Sequence, residues 1–215
     1  MKFLDLESWP RRKQYEFFRK MDYPHINVCF PFDITNLKSY CSENDLSITH
    51  SILYISARTA NSIKEFRLRI RGEQVVEHER ISPSYTVLRA DESFSFCTVE
   101  YTADAKLLFA RAEEQQRQVY EEMVLEDEPG RDDFLFISVL PWISFTNTTH
   151  PINMSPVDSV PRLVWGKFYA DPSDKERTLL PYSIQAHHAL ADGVHFGKFA
   201  QIFQDLADYP ATTLS

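Results

Sequence analysis

The sequence is poor in cysteine and glycine, and both shortages exclude whole classes of site. Its 215 residues contain three cysteines, Cys29, Cys41 and Cys97, with no CxxC pair. One thiol is therefore left over, and neither a disulfide framework nor a cysteine zinc site is indicated. The five glycines are scattered and never take the spacing of a dinucleotide-binding or Walker loop. A glycine-rich phosphate cradle is excluded.

Positive charge and long apolar runs are also scarce. Lys and Arg number 23 against 31 Asp and Glu, a formal net charge of -8, which is the opposite of what a nucleic-acid binder carries. No apolar run approaches the roughly 18 residues that a membrane-spanning helix needs. The first residues, MKFLDLESWPRRK, place acidic groups where a secretory segment would be apolar. We expect a cytoplasmic protein with reduced thiols and neither a membrane nor a nucleic-acid partner.

Apolar and aromatic residues are abundant, at 43% and 13% of the chain. No linker, repeat or low-complexity stretch divides the sequence, so a single domain over residues 1–215 is predicted. Helical spacing predicts helices over 8–21 (capped by Ser8), 47–63, 104–123 and 194–207. Strand patterns cover 25–33, 66–71, 74–78, 85–89, 94–101, 134–140, 162–169 and 177–187. This mixture predicts an α/β (α+β two-layer) fold with a mixed sheet flanked by helices.

Two segments in the middle of the chain have a distinct composition. The acidic loop 126–134 contains Pro-Gly and is predicted to be a solvated turn. The run Phe134–Leu140 is apolar except for Ser138, which is typical of a strand buried on both faces.

One segment, IQAHHALADGVHF from Ile184 to Phe196, carries the candidate chemistry. A strand is predicted to end in His187 and His188, with Asp192 and Gly193 just before a helix. Gly193 would permit a tight or positive-φ turn, and Asp192 could cap it. An imidazole placed at a strand end is a suitable general base near neutral pH.

Two other interpretations of this segment stay open. His188, Asp192 and His195 could ligate a metal if all three lay on one helix, although a helix that begins at Gly193 separates His188 from it. An isolated histidine pair can also be purely structural.

Blocks along almost the whole chain resemble the type A chloramphenicol acetyltransferases, trimeric enzymes that acetylate the antibiotic from acetyl-CoA. The blocks occur in the family's order: Trp9-Pro10-Arg11-Arg12 through Phe18-Arg19, Glu65-Phe66-Arg67, Pro83 to Val87, Phe136 to Phe145, and Leu180-Pro181 leading to His187-His188-Ala189-Leu190-Ala191-Asp192-Gly193. The resemblance implies the CoA-dependent acyltransferase fold and a homotrimer.

The resemblance also implies roles for individual residues. His188 corresponds to the general base and Ser138 to the serine that stabilises the oxyanion. Asp192 corresponds to an aspartate that pairs with an N-terminal arginine, Arg11 by gapless matching or Arg12 after a slip of one residue. The base would come from one subunit, and Ser138 with much of the N-terminal pocket from its neighbour.

Substrate contacts follow from the same resemblance, without a metal. The acceptor pocket would be lined by Phe17, Phe18, Phe94 and Phe136, and the CoA channel by Pro141, Trp142, Lys167 and Phe168. The chain departs from the family mainly on the acceptor side. The departures are Phe18 for a tyrosine, Pro24 for a small residue or cysteine, Thr148 for a phenylalanine, Val164 for a threonine, and Phe136 for an asparagine or another aromatic residue.

The sequence therefore predicts chloramphenicol O-acetylation from acetyl-CoA, with His188 as base, as a means of antibiotic resistance. The alternatives are an acetyl-CoA-dependent O-acetyltransferase for another small hydroxylated acceptor, and a trimeric binding module without turnover.

Overall fold

The computed structural model describes residues 1–125 and 130–215. The acidic turn predicted over 126–134 therefore lies partly outside the described residues. The helices are α1 (Arg12–Phe18), α2 (Thr35–Glu43), α3 (Ile48–Ser62), α4 (Ala105–Glu121), α5 (Gly193–Asp208) and α6 (Pro210–Thr213). The strands are β1 (Lys2–Phe3), β2 (His25–Asp33), β3 (Leu68–Arg71), β4 (Gln74–Glu77), β5 (Ser82–Leu88), β6 (Phe94–Thr98), β7 (Phe134–Leu140), β8 (Arg162–Gly166), β9 (Tyr169–Ala170) and β10 (Thr178–His187).

A seven-stranded mixed sheet forms the centre of the protein, in the order β2-β10-β8-β7-β5-β6 with β9 paired to β10. β7 runs parallel to both β5 and β8, and β10 runs antiparallel to β2 and β8. A smaller sheet of β1, β4 and β3 lies outside it. The α/β fold class with a mixed sheet is confirmed.

Helices cover one face of the large sheet. The buried core includes Ile137 of β7, Trp165 of β8 and Tyr182 of β10, together with Phe199 and Phe203 of α5. Because side chains alternate along a strand, the neighbours of these residues point to the other face. Phe136 and Ser138 lie on this second face, and no helix residue within the described ranges lines the cavity there.

Some predicted boundaries are wrong for identifiable reasons. Ser8 does not cap α1, because its hydroxyl donates to the Asp5 carboxylate at 2.8 Å, and the helix begins only at Arg12. The sequence missed α2, whose Thr, Asn, Ser and Cys residues favour helices weakly. Burial of Leu37 and Cys41 stabilises that helix instead. None of the helices in the described ranges is long and apolar enough to cross a membrane.

Candidate active site

His188 lies in the turn that directly follows β10. Its backbone N–H donates to the Pro24 carbonyl at 2.7 Å, which attaches the turn to the segment before β2. Its ring Nδ1 lies 3.1 Å from the Ala191 carbonyl oxygen. A carbonyl can only accept, so the proton of the neutral ring sits on Nδ1 and the lone pair on Nε2. A half-buried imidazole held in this tautomer has the form that a general base needs.

The imidazole of His188 stacks on Phe18 of α1. The ring centroids are 3.8 Å apart and the planes meet at 16°. Phe17 lies edge-on to Phe18 at 5.1 Å and is 63% exposed. The prediction that the N-terminal pocket residues reach His188 from a neighbouring subunit is wrong for Phe18, because the stack forms within one chain.

Asp192 pairs with Arg11, whose Nη1 donates to its carboxylate. Arg12 pairs instead with Glu7 and Glu16, so the geometry favours the gapless match. Burial by itself would raise the pKa of Asp192, but the hydrogen bond and charge of Arg11 outweigh it and hold the pKa below its ordinary value. This ion pair attaches α1 to the turn that carries His188.

His195 completes the support of the turn. Its Nδ1 accepts the Asp192 backbone N–H at 3.0 Å, and its Nε2 lies 3.4 Å from Glu65. Gly193 begins α5 without a positive φ, so of the two turn forms that a glycine would permit here, the positive-φ form does not occur. Among the described residues there is no group of three or more His, Cys, Asp or Glu placed to hold a metal ion.

Two histidines that sequence reasoning did not assign hold the end of β10. His187 Nδ1 accepts the Ala189 N–H at 3.2 Å, and its ring meets that of His25 edge-on at 5.2 Å. His25 Nε2 lies 2.8 Å from the Asp158 carbonyl oxygen. The histidine pair in the sequence draws attention to His187, whereas nothing in the sequence points to His25.

Stability is expected to fall as the pH drops from about 6.5 toward 4. Burial, with a contribution from His25, lowers the pKa of His187 to about 4, whereas an unfolded histidine titrates near 6.5. Between these pH values His187 binds a proton in the unfolded chain but not in the folded chain, so the free energy of unfolding decreases as the pH falls. Urea unfolding midpoints at pH 7, 6 and 5, at one protein concentration, measure the slope.

The matched variant for this slope is His187→Asn, because the amide oxygen can accept the Ala189 N–H but does not titrate. The variant should show a shallower loss of stability than the native chain. An equal slope in both proteins would assign the acid sensitivity to other groups.

Ser138 lies in the middle of β7, on the face that the helices leave open. In register it stands opposite Val164 of β8, and Val164 stands opposite Ser183 of β10. Ser138 lines a cavity of about 870 Å³, together with Phe136. From Phe136 to Leu140 only Ile137 is buried and the other side chains are partly exposed, so the prediction of burial on both faces is wrong for this half of the strand.

Ser138 and His188 are far apart within one chain. Two strand spacings separate β7 from β10, and five residues separate Ser183 from His188. At about 4.8 Å per spacing and 3.3 Å per residue, the two Cα atoms are roughly 19 Å apart. One chain cannot bring both side chains to one tetrahedral centre, because each would have to lie about 3 Å from the reacting group.

The four predicted CoA residues lie together, in the turns after β7 and β8. The Lys167 N–H donates to the Ile143 carbonyl at 2.8 Å, and the Ser144 hydroxyl donates to the Lys167 carbonyl at 2.6 Å. Trp142 is 63% exposed beside them. These turns are at the end of the sheet opposite His188, because β10 runs antiparallel to β8.

Gly166→Ala is expected to loosen the two turns. A Cβ at this position would lie 2.6 Å from the Ile143 backbone oxygen, which is too close to accommodate without a backbone shift. We expect a loss of about 1–3 kcal/mol in the free energy of unfolding. Urea unfolding of the native chain and the variant measures this difference.

Gly197→Ala is the matched control, because Gly197 lies inside α5 and an added Cβ there would have no atom within 4 Å. That substitution should stabilise the protein by about 0.5–1 kcal/mol. If both substitutions changed the free energy of unfolding in the same direction, the close contact at Gly166 would not explain the effect of Gly166→Ala.

Comparison with known proteins gives a consistent relationship. A family model described as chloramphenicol acetyltransferase matches residues 1–204. A chloramphenicol acetyltransferase of Proteus mirabilis is 26% identical over 208 residues, 95% of this chain and 94% of the relative. One from Escherichia coli is 28% identical over 209 residues, 95% of this chain and 93% of the relative.

Solved structures agree in fold. A chloramphenicol acetyltransferase superimposes with a TM-score of 0.83 at 22% identity, over 96% of this chain and 99% of the other. The dihydrolipoamide acetyltransferase of Azotobacter vinelandii gives 0.72 at 18% identity, over 94% and 88%. The CoA-dependent acyltransferase fold expected from the sequence is confirmed.

Proposed function

The chain belongs to the chloramphenicol acetyltransferase family of acyltransferases, and on this premise we propose that it transfers acetyl from acetyl-CoA to a hydroxyl of chloramphenicol. The observation that carries the proposal is the orientation of His188. The Ala191 carbonyl holds the proton on Nδ1, and the stack on Phe18 fixes the plane of the ring. Nε2 is thereby the basic atom.

The reaction follows from that orientation. His188 Nε2 takes the proton of the acceptor hydroxyl as its oxygen attacks the thioester carbonyl carbon. A tetrahedral intermediate forms, and its negatively charged oxygen receives a hydrogen bond from the Ser138 hydroxyl. The C–S bond then breaks, the imidazolium returns the proton to the departing sulfur, and the products are the acetyl ester and free CoA thiol.

Two copies of the chain are needed to assemble this site. The separation of roughly 19 Å between Ser138 and His188 follows from the sheet register. The oxyanion donor lies on a central strand, and the base lies in the turn after β10. A ring of subunits can bring the His188 turn of one copy against the Ser138 cavity of the next. We propose the homotrimer that the resemblance implies, with three such sites.

Acetyl-CoA fits the turns after β7 and β8. Trp142 offers an exposed aromatic face, and Lys167 offers an exposed ammonium group that can meet a phosphate. Phe168 packs into the core beside it and fixes the second turn. Acetyl-CoA is a substrate in this scheme, and the chemistry needs no metal.

A second candidate function is acetyl transfer to another small hydroxylated acceptor. Val164 lies beside Ser138 in the register and has no hydroxyl for the acceptor or an attendant water. The carbonyl of Thr148 accepts a hydrogen bond from Asn27 Nδ2 at 3.0 Å, so its loop carries a small polar side chain beside the sheet. These positions alter the acceptor side and leave the catalytic side chains in place.

The test is the release of free thiol from acetyl-CoA in the presence of chloramphenicol. Chloramphenicol-dependent release supports the first function. No thiol release with chloramphenicol, together with release in the presence of other hydroxylated acceptors, supports the second function. A folded protein that binds CoA and turns over none of them would be the non-catalytic binding module.

A further inference from the structure

We propose that the cavity beside Ser138 selects a neutral acceptor that carries several hydroxyl groups, such as a sugar glycoside. The inference rests on the proposed function for its acetyl-transfer step and adds the chemical class of acceptor.

The wall of the cavity alternates aromatic and polar side chains in one row across the sheet. Ser84 of β5, Phe136 of β7 and Arg162 of β8 stand side by side in register, and all three line the cavity. The Arg162 guanidinium lies 5.3 Å from the Phe136 ring centroid. An apolar ring flanked by a hydroxyl and a guanidinium suits a ligand whose C–H face packs on the ring while its hydroxyls bond at the edges.

The charges of the wall compensate one another. Arg162 forms an ion pair with Asp158, and both side chains are nearly buried. Asp132, also in the wall, accepts hydrogen bonds from Arg71 and His78, and Arg131 bonds to Asp133 and Glu100. The charged side chains of the wall within the described residues are therefore already engaged in ion pairs, and none of them is left to neutralise a charged ligand. A neutral ligand fits this wall better.

His150, which also lines the cavity, has a ring nitrogen that is free, among the described residues, to form a hydrogen bond. Burial and the nearby charge of Arg162 lower its pKa to about 4, so the imidazole is neutral at pH 7. Within residues 1–125 and 130–215, its Nε2 is buried and has no hydrogen-bond partner. An apolar acceptor would leave this nitrogen unpaired, which weakens binding, whereas a hydroxyl could bond to it after a modest rotation of the imidazole ring.

The distances suit a ligand of one ring. Arg162 is one strand away from Ser138 and two residues back along β8, so their Cα atoms are roughly 8 Å apart. An acceptor of pyranose size can place one hydroxyl at Ser138 and others at the Arg162 and His150 end.

The experiment compares methyl hexopyranosides with chloramphenicol as acceptors in the thiol-release assay. The native protein should use at least one glycoside, and His150→Leu should lower the ratio of kcat/KM for that glycoside to kcat/KM for chloramphenicol about tenfold. His150→Gln, which keeps a hydrogen-bonding group near the Nε2 position, should restore much of the ratio. Thr149→Leu adds the same side chain at an exposed neighbour that does not line the cavity and should leave the ratio unchanged.

Binding distinguishes failure of this inference from failure of the proposed function. Saturation-transfer NMR detects methyl hexopyranosides on the native protein without turnover. Glycoside binding that His150→Leu weakens supports the polar cavity even if no acceptor is acetylated, an outcome that would overturn only the proposed function. No binding and no turnover of any glycoside, or a ratio indifferent to His150→Leu, overturns the inference.

Discussion

His188→Ala is expected to lower kcat for acetyl transfer by about 10²–10⁴-fold. An acceptor hydroxyl is a poor nucleophile until its proton leaves, and His188 Nε2 is the atom oriented to take it. The measurement is thiol release from acetyl-CoA under saturating acceptor. The binding of CoA should change little, because the turns proposed to bind it lie at the opposite end of the sheet.

Two controls separate the loss of the base from the loss of the fold. His188→Asn keeps a polar side chain but supplies no base, so it should be as inactive as His188→Ala. Gln14→Ala, at an exposed position of α1, should keep native activity and stability. Native turnover in either His188 variant would remove this residue from the mechanism.

Mixing two inactive variants is expected to restore activity. Ser138→Ala alone should cost about 10²–10³-fold through loss of the oxyanion donor. When Ser138→Ala and His188→Ala chains are co-refolded in equal amounts, a site between neighbours draws its histidine from one chain and its serine from another. Half of the chains carry each intact residue, so about a quarter of the sites should be intact, with a matching share of native activity.

The control is a mixture of the two variants that were folded separately. Their rings stay inactive as long as they do not exchange subunits. If both residues of a site came from one chain, no intact site could form. The mixture would then be no more active than the two variants measured separately. That result would contradict the shared site and the geometry from which it was inferred.

Much of the fold could be predicted from local patterns. The alternation of apolar residues gave β2 at its observed bounds, and helical spacing placed α3, α4 and α5 within a few residues. The sequence missed α2 because its weak helix formers are stabilised by burial, which has no local signal. The start of α1 was misplaced because Ser8 bonds to Asp5 instead of capping the helix.

The sequence names candidate site residues but not their arrangement. The HHxxxDG segment points to a histidine base, and the resemblance assigns the roles to His188, Ser138 and Arg11. The stack of Phe18 on His188 within one chain places this one pocket residue beside the base, whereas the sequence alone placed much of the N-terminal pocket in the neighbouring subunit. His25 and His150 carried no motif, and only the register and the loop before β8 bring them to the sheet.

The sequence by itself determined the family, the class of fold and the candidate catalytic residues, because these depend on residue types at fixed spacings along the chain. The tertiary structure decided which groups meet. Strand order places Ser138 two strands from β10, and the antiparallel direction of β10 carries His188 to the far end of the sheet. Such distances between residues remote in sequence are set by how the strands pair, which local periodicity does not encode.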